Sequence, residues 1–121
     1  MIGDLVKVSR SHSTDVRDIP ASVYTVPNIN GQYIFDERGY INPKFVGGVK
    51  QGSLGKIDGR PAKTKRSYLK EHKEQNTYGD EDVLLYPVFF EHYKQVAWIA
   101  GHDIVIEAFP QPDINIWYRC L

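Results

Sequence analysis

Residues 83–90, Val83-Leu84-Leu85-Tyr86-Pro87-Val88-Phe89-Phe90, are apolar at every position. A run this short, bounded by polar residues and rich in β-branched and aromatic side chains, reads as a strand covered on both faces over part of its length. Pro87 has no N–H to give to a ladder, so it marks an edge or a bulge within that strand. A chain organised around such a strand is a β protein, and the neighbouring sequence agrees. After the polar turn Glu91-His92-Tyr93-Lys94, a second strand reads Gln95-Val96-Ala97-Trp98-Ile99. Ala100-Gly101-His102-Asp103 then makes a tight turn, and Ile104-Val105-Ile106-Glu107-Ala108 returns. Ile114-Asn115-Ile116-Trp117-Tyr118 reads as a final strand beyond Pro110 and Pro112.

The N-terminal part carries shorter signals of the same kind. Leu5-Val6-Lys7-Val8 alternates after the turn-forming Gly3-Asp4, with Val6 and Val8 facing a core. Residues 9–22 are polar and contain Pro20, which suggests a loop. Val23-Tyr24-Thr25-Val26 is a β-branched run stopped by Pro27 and the turn residues Asn28-Ile29-Asn30-Gly31. Gln32-Tyr33-Ile34-Phe35 and Tyr40-Ile41 read as two short strands around a tight turn ending at Gly39. Glycines then punctuate a strand at Val49-Lys50-Gln51-Gly52-Ser53-Leu54-Gly55-Lys56-Ile57, as at a bulge or bend. Residues 60–82 are a basic and polar excursion. Ala62 to Gln75 fits either a short helix or a mobile loop, because its apolar stripe is only Tyr68, Leu69 and His72. At 121 residues the whole chain is expected to form a single β-rich domain.

The order of these pieces resembles an SH3-like small barrel. Gly3-Asp4-Leu5-Val6-Lys7-Val8 together with the later Gly55-Lys56-Ile57 is similar to the KOW class of such barrels. In that class a short loop separates the two strands, whereas about forty residues intervene here. The resemblance therefore implies a mostly β, SH3-like barrel enlarged by a β-hairpin inserted at about 22–45. A compact chain with insertions of this sort is also similar in style to small bacteriophage accessory proteins.

Several classes of chemistry find little support. No apolar run approaches the roughly 18 residues that cross a bilayer, and the first residues do not read as a leader. The single cysteine, Cys120, permits no internal disulfide, which fits a reducing compartment, so the cytoplasm is expected (the host cytoplasm for a phage protein). His12, His72, His92 and His102 form no metal-binding spacing, and neither a metal nor a cofactor is expected. Ser11-His12-Ser13-Thr14-Asp15 gathers hydroxyls, a base and an acid, yet a polar loop rarely holds a nucleophile against its base. Gly52 and Gly55-Lys56 lack the spacing of a phosphate-cradling loop. An enzyme is not expected.

Charge is the feature that points to a partner. The formal net charge is zero, but residues 44–73 hold nine bases and two acids, and the rest of the chain carries the opposite excess. Lys56, Arg60, Lys63, Lys65, Arg66, Lys70 and Lys73 can meet phosphates, with Tyr68 as a ring on which a base stacks. The expected function is a non-enzymatic binding module that docks this basic loop onto nucleic acid or a nucleoprotein machine. Asp80-Glu81-Asp82, just downstream, offers the same bases internal partners. The alternative is a small phage-type effector that binds and modulates a larger host protein complex, with Tyr33, Phe35, Tyr40, Tyr86, Tyr93, Trp117 and Tyr118 as candidate anchors.

Overall fold

The backbone hydrogen bonds of the described residues go mainly into antiparallel β ladders, supplemented by turns and loop contacts. The computed structural model describes residues 2–10, 19–69 and 81–107. Its strands are β1 (Leu5–Val8), β2 (Ala21–Thr25), β3 (Asn28–Ile29), β4 (Gln32–Tyr33), β5 (Lys44–Val49), β6 (Leu54–Ile57), β7 (Ala62–Lys65), β8 (Asp82–Phe90), β9 (Gln95–Ala100) and β10 (Ile104–Ile106). The main sheet runs β10-β1-β6-β8-β9-β2-β5, with β7 also paired to β8. Its end strands β10 and β5 do not pair, so the sheet is mostly β architecture that stays open and does not close into a barrel.

The apolar run of the sequence is the centre of this sheet. β8 pairs along one edge with β9, from Leu85 to Phe90. Its other edge is shared, with Asp82–Leu85 against β7 and Val88–Phe90 against β6. Pro87 lies where the two partners meet. The Asp58 N–H donates to the Pro87 carbonyl at 2.8 Å, and proline has no N–H to return. A strand residue turns its N–H and C=O to the same side, so the missing donor faces residues 58–61, where the partner strand breaks.

Burial follows from the same position. Along β9, Ala97 and Ile99 enter one core with Val6, Val8, Val23, Ile57, Val88 and Phe90, whereas Trp98 and Ala100 enter a second with Tyr24, Ile41, Leu69, Val83 and Leu85. Successive strand residues point to opposite faces, so β8, β9 and β2 need apolar residues at both parities, as their sequences provide. Each such leucine, isoleucine or phenylalanine contributes roughly 1.5–3 kcal/mol on full burial. Gly55 lets β6 approach β8 closely, since a Cβ there would lie 2.5 Å from Val88 Cγ1 and 2.8 Å from the Phe89 carbonyl oxygen.

The segment expected as a helix or mobile loop is neither over its described part. Ala62–Lys65 is strand β7, and Arg66–Tyr68 forms a single 3₁₀ turn. The physical reason is a set of long-range bonds that local propensity does not register. Thr64 is fully buried and its hydroxyl donates to the Ile41 carbonyl at 2.9 Å, while the Ile41 N–H donates to the Lys63 carbonyl at 2.9 Å. Leu69 then drops into the second core. Residues 70–80 lie outside the described residues.

The region around 22–45 contains a further correction. Gln32–Tyr33 does not pair forward with Tyr40-Ile41. It pairs back with Asn28–Ile29 across Asn30-Gly31, both at positive φ, the two-residue turn that such a sequence favours. The turn ending at Gly39 is present, closed by Asp36 N–H to Tyr40 carbonyl and Gly39 N–H to Asp36 carbonyl bonds. Beyond it, β5 pairs with β2, which in turn pairs with β9. The strand read at 114–118, the cluster Ser11 to Asp15, and Cys120 lie outside the described residues. No described helix is long and apolar enough to cross a membrane.

Candidate functional site

The basic residues fall on one arm of the sheet, and the arm's ladders decide their neighbours. On β7 and β8 the register sets Lys63 opposite Leu84 and Lys65 opposite Asp82. Lys65 Nζ lies 2.9 Å from Asp82 Oδ1, and Arg66 Nη2 lies 3.1 Å from Glu81 Oε1. The Arg66 N–H also donates to the Glu81 carbonyl at 2.9 Å, which holds the turn against the start of β8. Lys56, Arg60 and Lys63 are exposed. Lys70 and Lys73 lie outside the described residues.

Tyr40 is the hub that the sequence did not single out within this cluster. Its hydroxyl donates to Asp82 Oδ1 at 3.0 Å, and the cations of Lys65, Lys63 and Arg38 sit 4.7, 5.6 and 5.7 Å from its ring centre. All three distances are within the reach of a cation–π attraction. Asp36 completes the knot: its Oδ1 accepts from the backbone N–H groups of Arg38 and Tyr40 at 2.8 and 2.9 Å, and Tyr68 donates to its Oδ2 at 3.4 Å. Tyr68 is thus half-buried with its hydroxyl turned to Asp36. The Tyr40 N–H bond, more than any other contact, holds the Asp36 carboxyl below its ordinary pKa. Asp82 is lowered first by its bond to Lys65, and Lys65 is raised first by the same bond.

Beside this arm lies a recess with an apolar floor to which Arg66, Glu81 and Asp82 contribute. The groove has a volume of about 470 Å³. Its floor is Ile57, Leu84, Tyr86, Ile104 and Ile106, and its rim is Arg66, Glu81, Asp82 and His102. Four separate elements build its floor and end wall. β6 supplies Ile57, β8 supplies Leu84 and Tyr86, the 3₁₀ turn Gly101–Asp103 supplies the end wall, and β10 supplies Ile104 and Ile106. Gly101 is required there, since a Cβ would come within 2.9 Å of Tyr86 Cε1. The turn is tied to β1 by the Ser9 N–H donating to the Asp103 carbonyl at 2.8 Å. Asp103 is buried, with Arg10 Nε and His102 Nε2 at 3.9 and 3.8 Å from its Oδ1.

The groove was hidden in the sequence because its parts are far apart along the chain. Leu84 and Ile106 belong to apolar runs, and only the structure shows them 44 and 56% exposed. Volume and composition suit a binding site, since ligand recesses commonly span about 300–1,000 Å³ with apolar walls and few polar groups. Among the described residues no three histidine, cysteine, aspartate or glutamate side chains are gathered to hold a metal ion. His92 is exposed in the β8–β9 turn, so the two histidines beside acids occupy different sites. Compared with known proteins, the chain matches no family model, no curated protein and no solved structure.

Proposed function

We propose that the chain is a non-enzymatic docking module that binds a segment of a larger protein in the groove beside the 3₁₀ turn Gly101–Asp103. The strand order β10-β1-β6-β8-β9, with a 3₁₀ turn before the last strand, supports an SH3-like organisation in which β2 to β5 are the insertion. The observation that carries the reading is the groove's combination of an apolar floor and a rim of both charge signs. Glu81 and Asp82 keep much of their side chains in solvent at that rim, where a polyanion would meet repulsion. An extended peptide with apolar side chains and mixed charges meets complementary groups instead. In this reading the protein acts as a small effector in the cytoplasm, of the kind that bacteriophages use against host complexes.

The test is selection of peptides on the wild-type protein, followed by affinity measurement on two variants. Leu84→Asp alters the floor and Lys56→Glu changes a charge on β6 outside the groove's lining. Peptides that lose roughly tenfold or more in affinity on Leu84→Asp and little on Lys56→Glu support the groove. Peptides indifferent to Leu84→Asp refute it.

The exposed bases Lys56, Arg60 and Lys63 favour a second reading, docking on nucleic acid through phosphate contacts. Anisotropy of labelled DNA and RNA at low and moderate salt decides it. Micromolar, salt-sensitive binding lost in the Lys56→Glu/Arg60→Glu/Lys63→Glu variant would establish that reading, and absence of binding at low salt would remove it.

A further inference from the structure

At the other end of the sheet, β5 is an edge strand: among the described residues it pairs with β2 alone. Alternate residues of such a strand turn their N–H and C=O groups outward, ready for another chain. The ladder with β2 is interrupted by a bulge. Val23 faces Gly47 and the next residue, Tyr24, faces Phe45, which leaves Val46 as the extra residue. Gly47 has φ of 152°, and a Cβ at that position would meet nothing within 4 Å. The face beside it carries a groove of about 380 Å³ over β2, bounded by β5 on one side and by the β8–β9 turn and the start of β9 on the other, with Val46, Tyr93 and Val96 exposed on it. Among the described residues no charged side chain lines this groove. Lys44 and Lys50, both exposed, stand at the two ends of the strand.

We propose that β5 is a docking edge for one added strand from another protein, uncharged in its middle and acidic at both ends. The occupant follows from the charges. A second copy pairing antiparallel about Gly47 would set Lys44 of each copy against Lys50 of the other, two like-charge contacts that oppose dimerisation. A strand with carboxylates at those positions converts both into attractive pairs. Its central residues turn alternate side chains to the uncharged face of the sheet, against Val46 at the groove's border, while its backbone bonds the edge of β5. The bulge confines regular pairing to a few residues, so the flanking charges, and not length, give the specificity. This site is separate from the groove beside β10, and either one functions without the other.

The probe is the labelled peptide acetyl-Glu-Val-Thr-Val-Thr-Val-Glu-amide, titrated with the whole protein by fluorescence anisotropy. Its counterpart carries Lys in place of both Glu residues. The acidic peptide is expected to bind about tenfold more tightly than the basic one, and Lys44→Glu/Lys50→Glu is expected to reverse that order. N-methylation of alternate peptide residues, which removes the ladder donors, is expected to abolish binding. Val46→Asp, at a half-exposed position that folding does not need, should weaken the acidic peptide without changing the protein's thermal midpoint. Equal affinity for the two peptides, no binding of either at millimolar concentration, or full binding by the N-methylated peptide would each overturn the proposal. So would concentration-dependent self-association of the wild-type chain that Val46→Asp removes, because the occupant would then be a second copy.

Discussion

Replacing Gly55 by alanine isolates one contact that the fold depends on. The new methyl would sit 2.5 Å from Val88 Cγ1 and 2.8 Å from the Phe89 carbonyl oxygen, with Phe90 Cδ1 at 3.1 Å. The valine methyl can turn away, but the carbonyl belongs to the β6–β8 ladder and cannot. The strands must separate by some tenths of an ångström where Gly55 faces Phe90. Overpacking of this kind costs about 1–3 kcal/mol. Against it stands a gain of about 0.4–1 kcal/mol from a stiffer unfolded chain, since Gly55 is not at positive φ. The net expectation is a loss of about 1–2 kcal/mol, equivalent to a fall of roughly 4–8 °C in the thermal midpoint for a domain of this size. Urea unfolding followed by tryptophan fluorescence measures it, because Trp98 is buried in the second core. The midpoint should fall with an unchanged slope. A Gly55→Ala protein as stable as the wild type would refute the close approach of β6 to β8.

Other consequences are narrower. Thr64→Val keeps the shape of a buried side chain but leaves the Ile41 carbonyl short of one donor, which should cost about 1–2 kcal/mol in the same urea assay; no loss would mean that β7 is not held by Ile41. Asp36 and Asp82 have lowered pKa values, so the stability that they add is present above their unfolded values and disappears as pH falls through the folded ones. Lys65 is raised, so its share is present below its unfolded value and is lost as pH rises through the folded one. Carboxyl chemical shifts followed by NMR should therefore show Asp36 and Asp82 titrating below the ordinary aspartate range, and titration within that range would refute the Tyr40 knot.

How far the sequence was legible depended on where each element's partners lay. β1, β8 and β9 were readable because their own residues carry the alternation or the doubly apolar run that burial demands. β7 was not, since Ala62-Lys63-Thr64-Lys65 is nearly all polar and becomes a strand through bonds to Ile41 and β8. The tight turn at Asp36 to Gly39 was visible from its residues, but the pairing of Gln32–Tyr33 with Asn28–Ile29 was fixed by the nearer turn at Asn30-Gly31. The charge of Lys65 and Arg66 was plain, and so was the proximity of Glu81 and Asp82 along the chain. Which base meets which acid required the β7–β8 register. The groove had no local signature at all, because Ile57, Leu84 and Ile106 meet only in three dimensions.

The central place of β8 also bears on how the chain comes to be folded at all. β7 pairs with a strand some twenty residues later, β6 pairs along one edge with the same strand some thirty residues later, and β2 pairs inward with β9, later still. During synthesis, the first eighty residues emerge with most of their strand edges unmatched, and among the described residues only the β1–β6, β2–β5 and β3–β4 ladders are available to them. Both cores stay incomplete until residues 82–100 have left the ribosome. Such non-local pairing is slow to form, and the exposed edges meanwhile invite aggregation. In a nascent chain of this kind those edges stay uncovered until β8 and β9 have been made.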